Sequence, residues 1–204
     1  MARATRQRLT RRGEVLEAAL AVFGQKGYHA ASVADIIGRA GIARGTFYLY
    51  FENKRAIFEE LLDGYLQRIW GAVSRVDLGP GAPTPVSQIH ENVIRVLKVL
   101  ASNRALNRIL LRHAVGLDAD LDRKLDGFYD RLLERIEGAL SLGQGMGVVR
   151  AGSTRLLAVC VLGTIKEVTA QYLLGAPGQE LEQEGAALEI LEYNLHGLLE
   201  AEQP

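Results

Sequence analysis

GIARGTFYLYF, Gly41 to Phe51, is the stretch on which the reading of this chain turns. Four aromatic rings, Phe47, Tyr48, Tyr50 and Phe51, crowd its end, between the basic residues Arg44 and Lys54. On a helix, residues four apart share a face. Phe47 and Phe51 therefore turn the same way and, with Ile42, can close over neighbouring helices. Arg44 and Tyr48 share a different face, with Thr46 and Tyr50 nearby, so the rings are sorted into apolar ones pointing in and hydroxyl-bearing ones pointing out.

The flanks supply what those phenylalanines would cover. Upstream, Leu16, Ala19, Leu20 and Phe23 recur at helical spacing and stop at Lys26-Gly27, which predicts a first helix over about residues 11–26. Ser32 is placed to cap a second helix, with Asp35 as a weaker form of the capping box, and Val33, Ile36, Ile37 and Ala40 carry its apolar face to Gly41. Downstream, Asn53 reads as the cap of a long fourth helix that continues to about Val76, a length of roughly 35 Å at the usual rise.

Three helices, the second and third joined by a short turn containing glycine, make a helix-turn-helix. The later helix of that motif lies in the DNA major groove, its early residues at base edges and its flanks on phosphates. Arg44 suits a guanine edge, and Thr46 a base or a thymine methyl. Tyr48 and Tyr50 can donate to phosphate oxygens, and Lys54 offers a point charge to the backbone. Ser32 and Gly45 complete the candidate DNA-binding set.

Charge supports this placement. The 204 residues balance 24 basic against 24 acidic side chains, but residues 1–55 hold ten basic and four acidic ones, leaving the rest with the opposite excess. The Arg-rich start reads as a solvated tail or a minor-groove arm.

Beyond Asp77 to Pro85, a loop with three of the chain's five prolines, the pattern stays helical. Val86 to Leu100 mark a fifth helix, Leu106 to His113 a sixth, and Leu121 to Leu140 a long seventh. After the glycine-rich break from Gly143 to Gly152, the run Leu156 to Leu162 is apolar on every side, which a helix tolerates only when it is covered all round. A second subunit is the expected cover for one face, together with a last helix over about 180–200. Cys160 is expected to be a small buried side chain, and a lone cysteine excludes an intrachain disulfide. No apolar run is long enough for a membrane span, and the chain reads as cytoplasmic.

Residues 12–62 strongly resemble the DNA-binding module of TetR-type transcriptional regulators. The resemblance rests on Ala18 to Phe23, Gly27-Tyr28, Ser32-Val33 with Asp35-Ile36, Ala40-Gly41-Ile42, and Gly45-Thr46-Phe47-Tyr48 with Tyr50-Phe51 and Lys54. Ala43 departs from the frequent serine of that family, and Tyr50 from a frequent histidine. The resemblance implies an all-α architecture of about nine helices: a reader over residues 1–55, then an effector-binding and dimerisation domain over 56–204. It implies a repressor that binds a near-palindromic double-stranded operator as a homodimer through its last two helices and is released by a small-molecule effector. Trp70, His113, Phe128, Glu167 and Gln171 are the candidate pocket residues.

Other functions find less support. Asp118, Asp120 and Asp122 imitate a calcium loop, but Arg123 and Tyr129 stand where glycine and glutamate are needed. The four histidines show no ligand spacing, so neither a metal nor a cofactor is expected, and no paired acid and base suggests an enzyme. A transcriptional activator or DNA-packaging factor of the same fold is the nearer alternative, and a helical enzyme with an incidental three-helix module the more distant one.

Overall fold

The computed structural model describes residues 2–102, 106–107, 119–173 and 183–198. Among them are eight α-helices and no strand: α1 (Ala2–Lys26), α2 (Val33–Ala40), α3 (Arg44–Tyr48), α4 (Lys54–Ala72), α5 (Pro85–Ser102), α6 (Ala119–Gly145), α7 (Thr154–Val168) and α8 (Gln183–Leu198). A single π-helical turn, Thr169–Leu173, follows α7. The architecture is all-α, as the periodicity requires. Of the expected sixth helix, only Leu106 and Asn107 fall within the described residues.

Two compact units divide the chain. The first runs to Gln67 and includes Leu106, Asn107 and residues 119–121; the second holds Arg68–Ser102 and the residues from Asp122 onward. α4 contributes residues to both.

The first unit is built around buried aromatics. Phe23 and Phe58 meet edge to face at 6.0 Å, and Tyr28 tilts against both. Phe47 and Phe51 are buried, with ring centres 6.2 Å apart. Apolar rings of this size stabilise by roughly 1.5–3 kcal/mol each when fully buried. Deeper in the unit, the hydroxyl of fully buried Tyr65 bonds Asn107 Oδ1, which satisfies two polar groups that would otherwise be costly to bury.

Two glycines set the turns between the first helices. Gly27 (φ 78°) follows α1 and Gly41 (φ 62°) closes α2, its N–H donating to the Ile37 carbonyl. Both lie in the left-handed region that glycine enters without penalty. α1 is longer than the expected 11–26, because the polar start continues the helix back to Ala2. Arg12 belongs to its structural part: the guanidinium forks onto Glu60 of α4 and lies 4.9 Å from the centre of the Phe51 ring.

The capping box on α2 is complete rather than weak. Ser32 Oγ accepts from the Asp35 N–H at 3.1 Å, and Asp35 Oδ2 accepts from the Ser32 N–H at 2.9 Å. Lys26 Nζ lies 2.5 Å from the other carboxylate oxygen. The Lys26 ammonium, then the Ser32 hydroxyl and N–H, hold the Asp35 pKa down to about 2 from its ordinary 3.8. A depressed carboxylate stabilises the fold above its unfolded pKa and loses that contribution as pH falls toward its folded pKa. Thermal melts of the wild type should therefore fall relative to those of Asp35→Asn between about pH 4 and pH 2. Parallel curves there would show that the box adds nothing to stability.

In the second unit, α5 and α8 share a core of Val93, Ile94 and Leu97 against Ala186, Ala187 and Ile190, while Leu140 of α6 packs with Leu157 and Ala158 of α7. The fourth helix stops at Ala72, short of the expected Val76, because side chains of α5 take over the backbone beyond it. Asn92 Oδ1 accepts from the Ser74 N–H and Asn92 Nδ2 donates to the Ser74 carbonyl, both at 2.9 Å. One turn back, Gln88 does the same for Asp77, at 2.8 and 2.7 Å. Arg95 Nε donates to the Ala72 carbonyl at 3.1 Å, and Arg135 of α6 donates to that of Val73. These bonds supply partners for backbone groups that a continuing helix would have satisfied itself.

α7 corrects the expectation for Cys160. The helix turns Leu157 and Ala158 inward, but Leu156, Val159, Cys160 and Gly163 are exposed along the other side. Cys160 lies on that open face, so its apolar neighbours in sequence are not neighbours that cover it.

Candidate nucleic-acid interface

The recognition segment is short. α3 spans five residues, its N-cap Ala43 makes no side-chain cap bond, and Tyr50 and Phe51 continue by bonding the Phe47 carbonyl at 2.9 and 3.0 Å. Phe47 is wholly buried beneath it. Around that anchor the outward residues are Arg44, Gly45 and Tyr48, all exposed, with Thr46 and Tyr50 half-buried. The Arg44 guanidinium lies 5.9 Å from the centre of the Tyr48 ring. Ser32 is exposed at the start of α2, though its hydroxyl is already engaged with Asp35.

Sequence reasoning passed over Leu49. It is 70% exposed, the most open large apolar side chain among the described residues of the first unit. The signal was present in the quoted stretch, since Leu49 sits between the two outward tyrosines where no inward position is available.

Lys54 is held by its own chain. Its ammonium donates to the carbonyls of Tyr28, His29 and Ala31 at 2.7, 3.2 and 2.8 Å, and it lies 4.5 Å from the centre of the Tyr28 ring. Burial pushes its pKa below the usual lysine value. Three carbonyls match the three donors of an ammonium, so a phosphate contact would require one of these bonds to be given up. Lys54→Ala should destabilise the first unit by about 1–3 kcal/mol and leave the salt dependence of DNA binding unchanged. A slope smaller by about 0.9 at unaltered stability would instead make Lys54 a phosphate ligand.

The candidate pocket residues are not brought together to the same degree. Trp70 is half-buried near the end of α4, and Phe128 is buried within α6. Glu167 and Gln171 are exposed and bond each other at 2.6 Å, on the continuation of the open α7 face. His113 lies outside the described residues.

Residues 15–61 match the family of bacterial regulatory proteins, tetR family. Over nearly the whole chain, the protein is similar to the fatty acid metabolism regulator protein of Bacillus subtilis, 25% identical across 90% of this chain and 94% of that one. Residues 15–61 thus carry the DNA-binding module of the tetR family. A further TetR-type relative, the HTH-type transcriptional repressor KstR2 of Mycobacterium tuberculosis, is 46% identical over 57 residues, 28% of each chain. Among solved structures, the transcriptional regulator FadR of Bacillus subtilis in complex with stearoyl-CoA shares the TetR fold with a TM-score of 0.69. It is 24% identical and covers 90% of this chain and 97% of that one. Among the described residues, no helix is long and apolar enough to cross a membrane.

Proposed function

We propose that this chain is a cytoplasmic TetR-type transcriptional repressor that binds a near-palindromic duplex operator as a homodimer and is released by a small-molecule effector. The observation that carries the proposal is the sorting within α3: exposed Arg44 and Tyr48, with half-buried Thr46 between them, stand on a fully buried Phe47. That arrangement presents a guanidinium, hydroxyls and a rigid ring on a support that does not yield when they meet DNA.

In this reading Arg44 and Thr46 face base edges, Tyr48 and Tyr50 donate to phosphates, and Gly45 lets the backbone approach. Ser32 contributes at the start of α2, and Leu49 is the apolar group available to a thymine methyl. Lys54 acts by holding the Tyr28 to Ala31 turn against α4. The functional boundary is taken at residue 55, where the DNA-facing residues end. Dimerisation is assigned to α7 and α8, whose open face carries Leu156, Val159, Leu188 and Tyr193. For the effector, an acyl thioester of coenzyme A is the first class to try, given the stearoyl-CoA bound by the FadR relative.

The test is a footprint on genomic fragments followed by titration of the complex with stearoyl-CoA and shorter acyl thioesters. Protection of two half-sites about one helical turn or a multiple apart, lost on adding ligand, is the expected outcome. Absence of protection at any fragment in low salt would refute the DNA-binding reading. Within the footprint, Arg44→Ala should relax preference at one base position by about 1–3 kcal/mol; a uniform loss would move Arg44 to the phosphates.

A further inference from the structure

Guanidinium groups gather where α4 ends. Arg95 is fully committed: besides the Ala72 carbonyl, it donates to Ser74 Oγ at 3.3 Å and to Asn92 Oδ1, and it lies 3.7 Å from Glu91. Arg131 and Arg135, one turn apart on α6, are not committed in this way. Both lie against the Trp70 indole, with Cζ at 5.8 and 3.9 Å from the ring centre. Arg135 gives one Nη1 hydrogen to the Val73 carbonyl. Arg131 is exposed, and among the described residues no carboxylate pairs with either arginine, Glu134 between them included.

Like charges four residues apart on a helix repel, so this pair is an unfavourable arrangement that its own chain does not neutralise. The negative end of α4 helps Arg135 but leaves most of the donors of both forks unused. Each planar fork matches the spacing of phosphate oxygens, and a doubly charged group with several acceptors can answer two forks at once, as a single carboxylate does less well. Trp70 restricts both guanidiniums before any ligand arrives, which lowers the entropy lost on binding.

We propose that Arg131, Arg135 and Trp70 form a binding site for a phosphoryl group carried by a small molecule. The site rests on the reading of the chain as effector-controlled and names the effector's anionic part. Arg135 makes the site more than a holding point. A phosphate that draws its guanidinium from the Val73 carbonyl loosens one of the bonds fixing the carboxyl end of α4. This shifts DNA affinity to the extent that the ligand binds the two arrangements unequally.

Trp70 is the chain's only tryptophan, so its emission reports the site directly, with no DNA present. The probes are adenosine 3′,5′-bisphosphate, inorganic pyrophosphate and, as an uncharged control, adenosine. Saturable change with the bisphosphate, weakened about tenfold or more in Arg131→Ala and partly restored in Arg131→Lys, is the expected result. Saturation by pyrophosphate alone would still support the phosphoryl site and identify free phosphate as its source. An equal response to adenosine, or an unchanged titration of Arg131→Ala whose circular dichroism matches the wild type, would overturn the proposal. So would a response to non-operator duplex but to neither small phosphate, which would assign the arginines to DNA. A silent titration alongside effector-released operator would sink this site and leave the repressor reading standing.

Discussion

Phe47→Ala is expected to destabilise the first unit by about 3–5 kcal/mol, the range for removing a fully buried phenylalanine. The ring is wholly inaccessible to solvent, in contact range of Phe51 and Tyr48, and is the only buried residue of α3. A loss of that size is a large fraction of the 5–15 kcal/mol that holds an ordinary domain folded. Operator binding should disappear with it, although Phe47 offers DNA nothing. Denaturant unfolding followed by far-ultraviolet circular dichroism measures the loss. Trp70 emission follows the second unit separately, since that residue belongs there. The contrasting variant is Tyr48→Phe, which trims one hydroxyl from a ring 48% exposed. It should leave stability within about 0.5 kcal/mol and weaken DNA binding by about 1 kcal/mol. If Phe47→Ala cost less than about 1 kcal/mol, the support beneath the recognition segment would have to lie elsewhere.

The second large effect is expected from Val159→Arg. Val159 is 46% exposed and Leu156 63%, beside Cys160 and Gly163 on the open side of α7. A two-fold interface presents the same patch from both subunits, so one new arginine on it introduces two facing charges without partners. The variant should run as a monomer by light scattering while keeping its helical content. Two half-sites bound by a joined pair of readers gain affinity from effective concentration, and losing the join should weaken operator binding by about 10²–10⁴-fold. Cys160 gives an independent check: a short bis-maleimide should link wild-type chains in pairs and leave the variant uncoupled. A variant that stays dimeric with full operator affinity would remove α7 from the interface.

The first unit was legible because its helices carry local signals. The Phe47–Phe51 spacing, Gly27, Gly41 and the Ser32–Asp35 pair each specify structure within a few residues, and each is found in the role its spacing predicts. The carbonyls that hold Lys54 lie 23 to 26 residues earlier in the chain, and backbone acceptors leave no mark in a sequence. The end of α4 escaped for a related reason. Nothing in the residues 73–76 forbids a helix, and it is the amides of Gln88 and Asn92 that draw the chain away. Cys160 shows the limit of composition: an apolar run states that a helix must be covered but not which side its own chain covers. The paired arginines at Trp70 come from different helices than the ring they meet, so no single stretch announces them.

The hold of Asn92 and Gln88 on the stretch after α4 is directed at peptide groups, not at side chains. Identity at Ser74 and Asp77 is therefore loosely constrained by that contact, with one exception: proline, lacking an amide hydrogen, would remove the bond to Asn92 or Gln88 and, at position 77, strand the Gln88 carboxamide oxygen. Natural or engineered drift along this strip can alter side chains while the amide clamps keep its path in place, at the cost only of the Ser74 and Asp77 side-chain bonds to Arg95 and Gly79.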